Sequence, residues 1–185
     1  MSDFPVHDFD PRNIPPDMLR AIGSIITCTS FAEAILDQIL AGFINTDVEI
    51  GSAVTAHMSM PLKFGILRST AEIVINNLQD LDELDGIIDE LENALKQRNI
   101  YAHDQIGIAR DQVFAVSTKA RAGLEVGLKP LAVDKIEAEA IRIYNAGMAL
   151  FTFAGMRNLF PASPPPRTPR QHKTKAARKR LRKKI

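Results

Sequence analysis

Apolar residues recur every three or four positions through most of the first 160 residues, and this periodicity commits the chain to amphipathic helices. The first stripe is Leu19, Ile22, Ile26, Thr29, Ala32, Leu36, Ile39 and Phe43, which predicts a helix over 17–44. Pro15, Pro16 and Asp17 suit its first turn, because proline needs no partner for a missing N–H and an early acid complements the helix dipole. Residues 45–60 read as a polar loop or frayed turn. Pro61 opens a second helix, to 78, with Phe64, Leu67, Ala71, Val74 and Leu78 on one face. Asp80 starts a third, to 103, on Leu81, Leu84, Ile88, Leu91 and Leu95. The period then changes. Gln112–Ser117 and Ala122–Leu128 are short β-prone runs about a Lys119-Ala120-Arg121 turn and predict a β-hairpin. Asp134 caps a last helix, to 158, striped by Ile136, Ala140, Ile143, Gly147, Leu150 and Ala154.

The expected fold is therefore mainly all-α: an antiparallel four-helix bundle with a β-hairpin between the third and fourth helices. A length of 185 residues suits one such domain. The absence of Trp and a total of 11 Phe and Tyr make its core aliphatic. Residues 1–16, rich in proline, read as an extended arm, 17–160 as the helical domain, and 161–185 as a tail. Cys28 is the single cysteine, which excludes a disulfide framework; without a basic neighbour it reads as a buried, inert thiol. The first residues show neither a basic nor an apolar signal region, and the longest uncharged run, Ile143–Met156, has 14 residues, short of a membrane span. A cytoplasmic protein without a membrane partner is the expectation.

Charge divides the chain unevenly. Residues 161–185 hold 10 of the 23 Lys and Arg and none of the 22 Asp and Glu, so residues 1–160 carry −9 and the tail +10. After Pro164, Pro165 and Pro166 come Arg167, Arg170, Lys173, Lys175, Arg178, Lys179, Arg180, Arg182, Lys183 and Lys184. Such a segment cannot bury a core and is expected to be disordered. Basic arms bind nucleic acid through counterion release, so these ten cations are candidate RNA-binding residues. Folding back on the acidic body and lying on an anionic membrane are the competing roles.

The segment that carries chemistry is Arg98-Asn99-Ile100-Tyr101-Ala102-His103. Extending the third helix's stripe from Leu95 places Arg98 where the next core leucine belongs. A guanidinium is rarely buried without a partner, so this end of the helix should face a cleft, a counter-charge or another subunit. Asn99 and His103 share a face, and the long Arg98 stem can bend toward them. A planar cation, an amide and an imidazole together suit a phosphodiester, since Arg grips phosphate oxygens and His moves a proton near neutral pH. Tyr101 is a candidate to stack a base, with packing inside the bundle as its competing role.

These residues resemble the R-N-x3-H form of the R-x4-6-H motif of the HEPN superfamily, small helical bundles that include many metal-independent RNases of toxin, antiphage and RNA-processing systems. The resemblance covers residues 17–158 and includes the motif's place at the end of the third helix. It implies that His103 exchanges protons with the ribose 2′-OH or the leaving oxygen, that Arg98 stabilises the phosphorane and that Asn99 orients one of them. The RNA's own 2′-OH is then the nucleophile, and neither metal nor cofactor is needed. It also implies a homodimer, with one Arg-His set from each chain, and allows an antitoxin or other partner protein. Asp104 stands where similar proteins often carry glycine. A carboxylate there favours imidazolium and repels phosphate, so the resemblance also admits a catalytically inactive RNA- or protein-binding module.

His7, His57 and His172 lack partners at ligand spacing and read as solvated. The run Asp80, Asp82, Glu83, Asp85, Asp89, Glu90 and Glu92 reads as a solvated helix face, and no metal site is expected.

Overall fold

Helix α1 (Pro16–Phe43) is the spine of the molecule and packs most extensively on α5 (Val133–Met156). Small residues let the two approach: a Cβ on Gly147 would lie 3.2 Å from the Ala32 Cβ. On α5 the expected stripe, Ile136 through Ala154, is buried throughout. On α1 the first half of the stripe is rotated. Met18, Ala21 and Ile25 face inward, whereas Leu19 and Ile26 are exposed. The cause is that α1 is apolar on more than one side here, so packing on α5 chooses between Ile25 and Ile26. By length and composition α1 would also suffice to cross a membrane, although no uncharged run in it reaches that length, and its inner face is buried in the core.

The computed structural model describes residues 8–44, 48–109, 112–119 and 125–161. Among these the chain is mostly helical, with α2 (Val48–Thr55), α3 (Met60–Val74) and α4 (Leu78–His103) between α1 and a sheet. The segment expected to be a loop thus contains α2. Its β-branched residues and Gly51 are weak helix formers, and packing against α1 supplies what propensity does not. Helix α3 stops at Val74, short of the expected 78. Ile75, not Val74, turns inward, and the Asn77 side chain accepts a hydrogen bond from the Gln79 N–H (3.0 Å), capping α4. Leu78, expected on the buried stripe, is 76% exposed.

The hairpin is part of a three-stranded antiparallel sheet in the order β1-β2-β3: β1 (Gln105–Ala109), β2 (Gln112–Lys119) and β3 (Glu125–Pro130). Register pairs Ile106 with Ala115 and Ile108 with Val113, then Val116 with Leu128. One face adds Val113, Ile106 and Ile108 to the main core; Ala109, Val116, Phe114 and Leu128 form a small second cluster. The arm expected to be extended joins the body from residue 8. Asp8 bridges Ile108 at the sheet edge, a 3-10 turn spans Pro11–Asn13, and Ile14 enters the core.

Helix α5 ends on Asn158 in the left-handed conformation (φ 53°). The Leu159 N–H bonds the Ala154 carbonyl (2.9 Å) and the Asn158 N–H bonds that of Gly155 (3.3 Å), the two bonds of a Schellman turn. The turn folds Leu159 and Phe160 back onto the end of α1, where any side chain on Gly42 would overlap the Leu159 carbonyl.

Candidate functional site

Helix α4 carries the site, and its two ends are built differently. Along its first half, neighbouring helices answer the acids with arginines. From α3, Arg68 Nη2 donates to Asp89 (2.7 Å) and Glu92 (3.0 Å), with Asp85 at 3.6 Å from Nη1. From α5, Arg142 grips Glu90 with two nitrogens, at 2.6 and 3.2 Å. Arg157 donates to Asp80 and Glu83, each at 2.6 Å, and lies 4.0 Å over the Phe153 ring. The Arg157 hydrogen bond holds the Asp80 carboxyl below the usual carboxylate range, and that of Arg142 does the same for Glu90. The acid run is exposed at Asp82, Glu83, Asp85, Asp89 and Glu90, as expected of a solvated face, and guanidiniums from α3 and from the α5 side also tie it to its neighbours.

The last third of α4 lacks such pairing. Arg98 is half-buried, its Nε has no hydrogen-bond partner, and no ion pair reaches it among the described residues. Single nitrogens of Arg68 and Arg157 also go unbonded, but those guanidiniums are pinned by acids. Arg98 lines a groove of about 140 Å³ with Met60, Pro61 and Phe64 of α3 and Glu92, Leu95 and Lys96 of its own helix. Of the three surroundings expected here, a cleft, a counter-charge or another subunit, the chain itself provides this small groove.

Asn99 and His103 belong to the helical backbone of α4, one turn apart; their side chains lie outside the described residues. Asp104 caps the helix in an extended conformation (φ −78°, ψ 150°), and its N–H bonds the Ile100 carbonyl at 3.2 Å. Because the helix leaves without a left-handed residue and runs straight into β1, glycine has no conformational advantage at this position. Asp104 and Gln105 line a second, larger groove of about 660 Å³, walled by Phe9, Pro11, Ile14, Leu19, Ile22 and Ile106.

Tyr101 is corrected from a base-stacking candidate to a core residue. It is 8% exposed and packs in the main cluster, and burial, then the charge of Glu139, raises its phenol pKa. It takes the inward position because the stripe continues through Ala94 and Leu95 to Tyr101, while Arg98 sits at the edge. The ten tail cations from Arg167 to Lys184, with His172 and the order of their segment, lie outside the described residues, as does His7. His57 is exposed in the turn after α2. Cys28 is half-buried instead of buried, and desolvation raises its thiol pKa, which keeps it unreactive. Among the described residues no group of three or more His, Cys, Asp or Glu is arranged to hold a metal ion.

Sequence reading missed Lys63, which is 2% exposed. Its ammonium sits 2.9 Å from Glu33 and 2.8 Å from Asp37, both on α1. Burial alone would lower its pKa, but the ion pairs with Asp37 and Glu33 outweigh this and hold it above the ordinary lysine value. The available signal was the i, i+4 acid pair Glu33 and Asp37 in the mostly apolar second half of α1.

Comparison with known proteins gave no match: no family model matches the chain, and no curated protein or solved structure does.

Proposed function

We propose that the protein is a metal-independent endoribonuclease of HEPN type, cleaving RNA by 2′-OH transesterification. The observation that carries the reading is Arg98, half-buried and without an ion pair among the described residues, facing a groove at the end of α4, five residues before His103. A cation partly removed from water and left without an acid favours an anion from outside, and a phosphodiester supplies one. On this reading α1, α3, α4 and α5 are the four helices of that family's domain, to which α2 and β1 are additions; they are not the antiparallel bundle expected, because α1 and α5 run side by side in the same direction, with Phe31 on Tyr144, Ala32 against Gly147 and Gly42 against Leu159. His103 then transfers protons, Arg98 meets the charge that grows on phosphorus, and Asn99 orients the reacting groups.

Two copies bring two Arg98-His103 sets to one cleft, so a homodimer at micromolar concentration is part of the proposal. The tail holds RNA that an acidic body repels. Action in the cytoplasm and control by an antitoxin or other partner protein are consistent with this reading. Asp104, beside His103, favours one alternative: a catalytically inactive HEPN-like module that binds RNA or protein through the same groove.

The deciding assay is incubation of the full chain with single-stranded RNA in EDTA. The nuclease reading expects fragments ending in 2′,3′-cyclic phosphate. If no RNA pool is cut, the inactive module is left; cleavage that requires magnesium overturns the metal-independent mechanism. Light scattering that shows a monomer at micromolar concentration removes the two-chain cleft.

A further inference from the structure

We infer that the larger groove, between the arm, α1 and the start of β1, is a specificity pocket that takes a guanine base of an RNA strand on the Asp104 carboxylate. The inference rests on RNA as the ligand, as proposed above. It concerns a base, not the phosphate met by Arg98, and does not require that the RNA be cleaved.

Size and wall chemistry set the class of ligand. At about 660 Å³ the groove lies within the roughly 300–1,000 Å³ of sites that enclose organic molecules, and its apolar walls carry a few polar groups. The walls are preformed. The arm is pinned at one end by the Ile108 N–H, which donates to the Asp8 carbonyl at 2.8 Å, and at the other by Ile14, which is buried. Within it, the Asp8 carboxylate accepts from the Asp10 N–H and from Asn13 Nδ2, each at 2.8 Å. Phe9 is thus held on a fixed arm, yet it is 43% exposed and joins neither apolar cluster. Leu19 of α1 is exposed in the same groove. A planar ring laid on Phe9 covers apolar surface that the chain itself leaves open.

The polar end selects among planar rings. No cation lines the groove, so it suits an uncharged group and not a phosphate. Asp104 is half-buried, and its carboxylate has no hydrogen bond or ion pair among the described residues. A carboxylate accepts through two oxygens and donates nothing. Guanine carries its N1–H and its 2-amino group side by side on one edge, so it offers two parallel donors. Adenine and cytosine place an acceptor beside their amino group, and the one ring N–H of uracil is flanked by carbonyls. Each of these sets a lone pair against the carboxylate. The Gln105 amide at the same end can donate to the guanine carbonyl. Asp104 follows His103 directly and lies about 9 Å of helix rise beyond Arg98, at 1.5 Å per residue. The base it holds therefore belongs to a nucleotide at or next to the reacting phosphate.

The test uses the full chain and four trinucleotides with 2′-O-methyl groups, which cannot be cleaved. They share their flanks and differ only in the central base. Affinity is read by fluorescence anisotropy. The guanine ligand should bind about tenfold tighter than the other three, as expected of a bidentate base contact. Asp104→Asn should remove this preference by weakening the guanine ligand about tenfold, while the other three bind no worse. Phe9→Ala, at an exposed position, should weaken all four about tenfold and leave both the preference and Tm unchanged. Equal affinity for the four, preference for another base, or an Asp104→Asn loss shared by all four overturns the pocket. Unchanged affinity in Phe9→Ala does the same. Cleavage of unmodified RNA in EDTA is scored separately. Guanine selectivity without cleavage upholds the pocket and ends the nuclease reading; cleavage without base preference ends the pocket and upholds the nuclease.

Discussion

The two ends of α4 pose one electrostatic problem and resolve it in opposite ways. In the first half, seven acids are spread over Asp80–Glu92, and Arg68, Arg142 and Arg157 arrive from outside the helix to meet six of them, all but Asp82. In the last third the helix supplies its own cation, Arg98, and no described acid pairs with it. The first arrangement is closed within the chain. The second stays open to an external anion. Charge content alone would have drawn attention to the acidic half; the pairing sets the other end apart, where Arg98 has no acid among the described residues.

The largest test of this contrast is catalytic. Arg98→Ala and His103→Ala should each lower RNA cleavage in EDTA by about 10²–10⁴-fold, the range for a lost acid–base or charge-stabilising group, with an unchanged helical CD signal. Loss of helicity along with activity would make Arg98 a structural residue and erase the difference between the two ends.

Next in size is the tail. Removing residues 162–185 should lower RNA affinity and flatten its salt dependence by about 3.5 units of log–log slope if half of the ten cations touch phosphates, at about 0.7 each on single strands. An unchanged slope would show that the open end of α4 attracts RNA without help. A marked fall in melting temperature would show instead that the tail packs on the acidic half.

Lys63 marks the limit of a closed cation. Lys63→Met should cost about 3 kcal/mol in urea unfolding, because Glu33 and Asp37 lose the charge that holds them to α3. Since its pKa is raised on folding, this contribution is complete below the unfolded lysine value, about pH 10.4, and is lost as pH rises through the higher folded value. Wild-type stability that stays flat above pH 11 would contradict the pairing.

The acid seam should give the smallest effect. Arg68→Ala should lower stability by no more than about 1 kcal/mol, and 1 M salt should shrink the difference. Asp80 and Glu90 have lowered pKa values, so their contribution is present above the ordinary carboxylate pKa of about 4 and disappears as pH falls through the folded values. Chemical denaturation between pH 2 and 7 reads this directly.

The helical periods of α1, α3, α4 and α5 were legible because each buries one continuous stripe. Helix α2 and strand β1 were not. Both are short and contain glycine, and neighbours give them their form. Ile25 and Ile26 are adjacent on a helix apolar on several sides, so only contact with α5 tells which is inside. The place of Arg98 was legible from its break in the stripe. Its lack of a counter-charge was not, because Arg68, with the same side chain, is pinned by residues 17 to 24 positions away. Lys63 stayed hidden for the same reason: its partners are on another helix.

The Schellman turn at Asn158, with Arg157 fastened to Asp80 and Glu83, makes the start of the tail a fixed mooring at the N-terminal end of α4. Arg98 lies eighteen residues farther along that helix, about 27 Å at 1.5 Å per residue. The 24 residues after Pro161 span at most about 80 Å when drawn out, so their reach exceeds the distance to the groove nearly threefold. On the proposed function, an RNA gripped by the tail would be leashed within range of Arg98 of the same molecule, at an effective concentration on the order of millimolar. Weak contacts in the groove suffice under that condition, and tail length, as much as tail charge, sets how often the strand arrives.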